Sequence, residues 1–560
     1  MYPALRVCMK SALALLPVFL PFLPTIAFAS ATINVISPRS GSSSGSAVFY
    51  EASATTSCPQ GISAMRIYSA PYVIAYTVGG AHLETFITLK AGSYKTVVQA
   101  WDNCGGVTKT PVAITVSSAA QVSVFLPSSA GSYNPVHFAA SAQNPDCPAG
   151  IAAMRIYTAW GVTPYTVDSN QLDAYVVLRA QTYFATVQAW DNCGNVLKTN
   201  FQVQSAGGDA DAYLYSNSQS GVISQFEVLY NGHLANPNGS GNPPQFRSGV
   251  GANTLSIDAG GWFAYTAAQN GVFGYQINPT NGALTPTPNS PFSHLSSPTF
   301  AFVDPTGNFV FAIFAGSTSI ASLQIDRSSG DLSQTASLSP GGTLTALTTD
   351  PYGKYLYAAT NSGQILGFKI NPDSGILTAV PGSPFSVPGS TYAFALSAAY
   401  QYLYVGELAS AGQQIDAYQI QYNSGTLTPA PGNPYSAPNT LLNDQAVLAD
   451  WLTRYLWTGK QDPVNGSNSF WQFDIDGYTG GMGSATDIDA GPLYVDYLTE
   501  GHSANLVYTA GDTCGPMTCV PSTVNSWTIN GSGLLEHLSG PLETGTQIPT
   551  GVAVERQNPQ

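Results

Sequence analysis

Charge is what this chain has least of. Only 9% of its 560 residues are Asp, Glu, Lys or Arg, and the 17 Lys and Arg face 31 Asp and Glu. No run gathers the few basic residues, which excludes ordinary phosphate-backbone recognition and leaves anionic membrane surfaces as poor partners. Histidine is scarce as well: His82, His137, His233, His294, His502 and His537 are the full set. None falls into an H-x-H or HExxH spacing, so no metal site is expected and no cofactor motif is present. Beyond the N-terminus no apolar stretch approaches the ~18 residues of a membrane span. What the chain has in quantity is Gly (55), Pro (39), Tyr (31) and Phe (24), a mixture that suits short strands and tight turns. With 44% hydrophobic and 11% aromatic residues it is not a disordered polymer, and its length calls for several domains.

The N-terminus reads as a secretory signal over residues 1–29. Arg6 and Lys10 give a positive start, Ser11 to Ile26 an apolar core broken by Pro17, Pro21 and Pro24, and Ala27-Phe28-Ala29 a small-x-small cleavage pattern. A membrane anchor is the competing reading, disfavoured by the short, Pro-broken run without a stop-transfer flank. Removing the segment takes the formal charge from −14 to −16 and carries off Cys8, which precedes the apolar core and is no lipidation site. The expected location is secreted or periplasmic, with no membrane insertion after signal removal. Six cysteines remain, Cys58, Cys104, Cys147, Cys193, Cys514 and Cys519, an even number that reads as disulfides in an oxidising compartment.

The first half is a duplication. Val98-Gln99-Ala100-Trp101-Asp102-Asn103-Cys104-Gly105 recurs unchanged 89 residues later as Val187 to Gly194. Met65-Arg66-Ile67-Tyr68 recurs at the same offset as Met154 to Tyr157, and Cys58 recurs as Cys147. Residues 32–117 and 121–204 are therefore two copies of one strand-rich domain. Each is about 85 residues long with turns every 8–12 residues, as in an immunoglobulin-like sandwich. The "A-x-D-x-x-G" turn near the end of each copy resembles that of bacterial Ig-like modules. Pairing Cys58 with Cys104 and Cys147 with Cys193 closes two loops of 46 residues, each worth about 4 kcal/mol in the chain-entropy model. A four-cysteine zinc site across the copies is the alternative, weakened by the absence of any CxxC pair. Spacing or adhesion is the expected role of these domains.

From Ala210 a different pattern repeats. Ile257-Asp258-Ala259-Gly260, Val303-Asp304-Pro305-Thr306-Gly307 and Thr349-Asp350-Pro351-Tyr352-Gly353 place their aspartates 46 residues apart, with later equivalents at Ser397, Asp450 and near Glu500-Gly501. A third strand and a Gly-x-Leu-Thr segment follow each turn, for example Ser374-Gly375-Ile376-Leu377-Thr378. Four strands per period of 40–50 residues mark a β-propeller. Full repeats begin near residues 252, 297, 343, 391, 444 and 491. Ala212 to Leu234 supplies only strands two to four of another, and Pro549 to Val554 has the pattern of the missing first strand. The expectation is an all-β chain: two tandem Ig-like sandwiches, then a seven-bladed propeller over residues 210–556, its first blade completed by the last strand.

The "D-P-x-G" turns at Asp304 and Asp350, with the run Ile370 to Phe385, resemble the lactonase-family propellers, the group containing 6-phosphogluconolactonase. The resemblance covers about 345 residues and rests on structural positions. It implies a seven-bladed propeller with a Pro-His-Ser-type motif at the channel mouth, whose histidine moves a proton. Here the corresponding positions read Ala252-Asn253-Thr254, Ser297-Pro298-Thr299, Gly342-Thr343-Leu344, Ser390-Thr391-Tyr392 and Ile548-Pro549-Thr550, none with histidine. No catalytic residue is carried over.

Three residues remain as candidates: His294, just before an inner strand, and Glu500 with His502 in the turn equivalent to Asp-x-x-Gly. The repeated aspartates read as turn caps that accept backbone hydrogen bonds. Asp487, Asp489 and Asp496 lack the Gly and Glu of an EF-hand. Cys514 to Cys519 reads as a loop staple, since it lacks the CxxC spacing of a redox pair. Trp451, Trp457, Trp471 and Trp527 read as packing between blades, with sugar stacking as the alternative. The expected function is an exported binding protein whose propeller face presents a surface to a glycan, small-molecule or protein ligand. A secreted lactone hydrolase is the alternative.

Overall fold

The computed structural model describes residues 31–556 apart from 59, 128–131, 134–135, 159–164, 177–180, 207–211, 230, 279–280, 294–296, 315–317, 388–389, 410–411, 437–440, 451, 462–467, 490–494, 496, 502–504, 515–518 and 547. The expected signal over residues 1–29, His294, His502, Trp451 and Asp496 thus lie outside the described residues. Every regular element among those described is a strand, and none of them forms a helix able to cross a membrane.

The duplicated half folds as two sandwiches. In the first, a three-stranded sheet (Ala31–Ser37, Ala47–Thr56, His82–Thr88) faces a five-stranded one (Ser42–Ser44, Val107–Val116, Gly92–Asp102, Ile62–Ala70, Val73–Gly79). Alternation decides which side chains go inside. Val48, Tyr50, Ala52 and Ala54 from one sheet meet Met65, Ile67, Val98 and Ala100 from the other in one dry core. The second sandwich repeats this arrangement with Phe138, Ala140, Met154, Ile156, Val187 and Ala189. The expected disulfides Cys58–Cys104 and Cys147–Cys193 are both formed. Each clamps a turn in which a buried aspartate, Asp102 or Asp191, accepts the backbone N–H groups of Cys104 and Gly106 or of Cys193 and Asn195. A small shared core of Phe49, Leu126 and Ala139 joins the two sandwiches through their three-stranded sheets.

The second half forms seven sheets arranged as blades. Blade one takes Ala212–Ser218, Val222–Val228 and Leu234–Ala235, and its fourth strand is the last of the chain, Pro549–Arg556. That strand runs antiparallel to Ala212–Ser218 from Ala212 opposite Arg556 to Ser218 opposite Pro549, so the ring closes as the repeat count requires. Closure leaves no free inner edge, which removes the liability of an open sheet. In blade seven Cys514 and Cys519 face each other in register across a hairpin, while their side chains, and hence that staple, lie outside the described residues.

Two local devices build each blade and fasten it to the next. Asp258, Asp304 and Asp350 are buried and accept two backbone N–H groups each with one oxygen, as when Asp350 takes those of Lys354 and Tyr355 at 2.7 and 2.6 Å. Burial raises all three carboxyls and these bonds pull against it, Asp350 settling at about 6. Blade five dispenses with the aspartate: Ala399 pairs directly with Tyr402, and Tyr400 takes a φ of 51° in the tight turn.

The second device is a glycine in the turn between the third and fourth strands of a blade, within the Gly-x-Leu-Thr segment where that is present. Tyr215, Tyr265, Tyr357 and Tyr404 each donate a hydroxyl to the carbonyl of a glycine in the next blade: Gly282, Gly330, Gly425 and Gly480. These glycines have φ between 66° and 75°. A Cβ on Gly425 would lie 2.4 Å from the Tyr355 ring, so both the backbone conformation and the contact require glycine.

Candidate functional site

The propeller's inner strands surround a channel, and what lines it decides what chemistry it can do. Thr254–Ile257, Phe300–Phe302, Tyr497–Thr499 and Gly551–Val554 enclose a cavity of about 310 Å³. These residues supply hydroxyls and apolar surface, and none is Asp, Glu, His, Lys or Arg. A proton-transfer mechanism needs an ionisable group within hydrogen-bond reach of the substrate, and this wall offers none.

Of the candidates His294, Glu500 and His502, only Glu500 lies among the described residues. Glu500 is the last residue of the inner strand Tyr497–Glu500, next to the turn in which the Gly501 N–H reaches the Leu506 carbonyl. His294 precedes the beginning of another inner strand, Pro298–Val303, four residues further on. Trp457 and Trp527 are fully buried, with their indole N–H groups on Gln472 and Thr509, which makes them packing residues.

A pair of carboxyls that sequence reasoning missed lies in blade five. Glu407 and Asp416, both inaccessible to solvent, sit on the neighbouring strands Tyr402–Ala409 and Gly412–Ile420. The Gln414 amide donates to Glu407 and the Asn433 amide to Asp416. Burial, then the adjoining Glu407, raises Asp416 to about 8, so the pair holds a proton at neutral pH. Ala393 pairs with Glu407, which places the dyad toward the end where the blade's inner strand begins. An acid at a strand position otherwise filled by Ala or Thr, as in Thr360 of blade four, is the signal that could have exposed it.

Comparison with known proteins bears on this half alone. Residues 263–380, from the second strand of blade two through the fourth of blade four, match the family model of the seven-bladed lactonase β-propeller. These blades resemble those of the lactonase propellers. Solved structures similar to it include a periplasmic gluconolactonase of Pseudomonas aeruginosa at 15% identity and TM-score 0.48, covering 62% of this chain and 100% of the other. A candidate 6-phosphogluconolactonase of Bacteroides uniformis has 14% identity and TM-score 0.49, covering 62% and 99%. A second, of Bacteroides fragilis, has 16% and 0.47, covering 62% and 98%. No curated protein matches the chain.

The strongest concentration of ionisable groups lies where the propeller meets both sandwiches. Glu51, His82 and Glu84 come from the first sandwich, His137 and Asp173 from the second, and Arg327 from the turn after blade three's third strand. His137 directs Nε2 at Asp173 (2.7 Å) and Nδ1 at Glu51 (3.3 Å). Arg327 reaches Glu84 at 3.2 Å and donates to the Gly307 carbonyl at 2.6 Å. Burial alone would push His137 down, but the flanking carboxylates raise it to about 10. Burial would push Asp173 up, but its bond to His137 holds it at about 2. Burial raises Glu84 well above the carboxylate range. His82, lowered by burial and then by Arg327, is neutral; it stacks flat on Trp262 of blade two at 3.6 Å.

Ligand atoms of Glu84, His137 and Asp173 lie within 4.8 Å of one another, close enough to hold one cation. The guanidinium of Arg327 and the imidazolium of His137 already supply positive charge at that point, so the cluster is an ionic clasp as it stands. Beside it a cleft of about 300 Å³, walled by Gln60, Asn103, Trp262 and Pro286, separates the first sandwich from blade two.

Proposed function

We propose that this chain is an exported binding protein whose lactonase-like propeller receives an uncharged ligand, foremost a glycan, at its channel. The observation that carries the reading is the lining of the cavity of about 310 Å³ between the inner strands of blades one, two, three and seven, where hydroxyls and apolar side chains stand with no ionisable group among the described lining residues. Two formed disulfides suit an oxidising compartment, in line with the signal expected over residues 1–29. A glycan array probed with the mature protein tests it: neutral glycans should bind, and silence across the array removes the support.

One observation favours a second reading, a secreted lactone hydrolase. The Glu407–Asp416 pair holds a proton at neutral pH, as an acid–base catalyst must. Turnover of a sugar-lactone panel well above background, abolished in E407Q, would establish hydrolysis and displace the first reading.

A further inference from the structure

The outer face of each sandwich's five-stranded sheet carries the same four residues in one row. In the first copy Thr77, Arg66, Gln99 and Lys109 lie side by side across four strands. In the second the row is Thr166, Arg155, Gln188 and Lys198, each 89 residues on. The guanidinium is fixed the same way twice. Arg66 donates Nε to the Thr77 hydroxyl at 2.7 Å and lies 5.0 Å from the Trp101 ring. Arg155 donates Nε to Thr166 at 3.0 Å and lies 4.9 Å from Trp190.

Core packing does not explain this identity, because the row points away from the core that Met65, Ile67, Val98 and Ala100 fill. Further along the same strands the outward residues have drifted apart. Lys95 has become Phe184, Val97 has become Thr186, and Pro111 has become Asn200. One end of the face is held constant while the other varies, and the constant end carries the cations. None of the four cations has a carboxylate partner among the described residues.

Charge across the chain agrees. Residues 31–206 hold eight Lys and Arg against seven Asp and Glu, whereas residues 207–560 hold seven against twenty-four. Of the seven sandwich acids only Asp146 and Asp168 are exposed. Asp168 stands where the first copy has Gly79, and Lys354 of blade four lies within electrostatic range of Arg155.

From this pinned, duplicated row we infer twin anion sites, Arg66 with Lys109 and Arg155 with Lys198, that take the carboxylate or sulfate groups of an acidic polysaccharide. A guanidinium pinned at Nε and set over an indole presents its outer edge to an oxyanion, with the lysine on the same row; Arg66 Nη1 also reaches the Tyr68 hydroxyl at 3.4 Å. Two such sites on one chain suit a polymer that repeats its charge, since the second contact forms at high effective concentration. The inference stands apart from the ligand of the propeller channel, and its readout is acidic rather than neutral glycan.

The test is affinity of the full mature chain for polygalacturonate, a sulfated glycan, neutral dextran and duplex DNA, measured by titration calorimetry at two salt concentrations. At least one acidic glycan should bind, more weakly at high salt, and the two arms assign carboxylate or sulfate. R66A/R155A should weaken that binding by about a hundredfold, roughly tenfold for each lost charge-assisted contact. K95A, on the drifted end of the same face, should leave it unchanged, and matched melting curves would show that both variants fold. Binding that survives R66A/R155A, equal binding of dextran or DNA, or no binding to either acidic glycan would overturn the inference.

Discussion

The two halves of this chain are both built by repetition, yet they retain different things. The sandwiches keep an outward row, Thr77-Arg66-Gln99-Lys109 and its copy, on a surface that packing does not constrain. The blades keep inward devices, the turn aspartates and the latch glycines, while the described lining of their central cavity is uncharged. The charge follows the same division, near balance in the sandwiches and strongly negative in the propeller. Repetition in the blades thus serves closure of a ring, and repetition in the sandwiches serves a surface used twice. The junction is where the two logics meet, and it spends three of the seven sandwich acids there.

If the propeller's repetition is about closure, removing its last strand should do the greatest damage. Truncation after Thr546 deletes Pro549–Arg556 and bares the full length of Ala212–Ser218. Scanning calorimetry should show the propeller transition lost, while the disulfide-clamped sandwiches keep theirs. A truncated chain melting within roughly 2 °C of the native one would mean that closure contributes little.

The next largest effect belongs to the junction. H137A leaves the buried Glu51 and the half-buried Asp173 without the imidazolium between them, and breaking one partner of such a cluster costs about 3–5 kcal/mol. His137 is raised from 6.5 to about 10, so its contribution is complete below 6.5 and lost as pH rises through 10. Asp173 is lowered from 3.8 to about 2, so its contribution is present above 3.8 and lost as pH falls through 2. The clasp therefore holds across the neutral range, and H137A should melt lower than the native chain throughout it. Equal melting at pH 7 would reduce the cluster to decoration between independently stable bodies.

What could be read from sequence divides along the same line. Ring closure by Pro549 to Val554 was legible because a missing strand at one end and a spare at the other are facts of pattern, independent of distance in space. Both formed disulfides were legible from one offset. The clasp was hidden because its six residues come from four strands and a turn spread over 277 positions, Glu51 to Arg327. Its one linear trace is that Glu84 and Asp173 stand at the duplication offset of 89. The cation row was likewise invisible as a patch, since Arg66 and Lys109 adjoin only through Gln99 on the strand between them. Of the candidates, Glu500 ends its strand beside the turn, and nothing in a strand pattern tells which titratable groups will face one another.

The effect that is smallest near pH 5, and grows as pH rises, concerns the dyad, and it separates a proton-holding pair from two carboxyls that merely happen to be near. Asp416 is raised from 3.8 to about 8, chiefly by burial and then by Glu407. Over that interval the folded chain keeps a proton that the unfolded chain releases. Stability is therefore greatest below 3.8 and falls as pH climbs toward 8, with a slope of up to about 1.4 kcal/mol per pH unit for one proton. D416N removes the titrating group while keeping the side chain's size. Its melting temperature should approach the native value near pH 5 and exceed it at pH 9, where the native pair carries two like charges out of contact with water. Melts of both proteins at pH 5, 7 and 9 decide it. Parallel curves would show that the two carboxyls titrate independently, and the acid–base reading of blade five would lose its only physical footing.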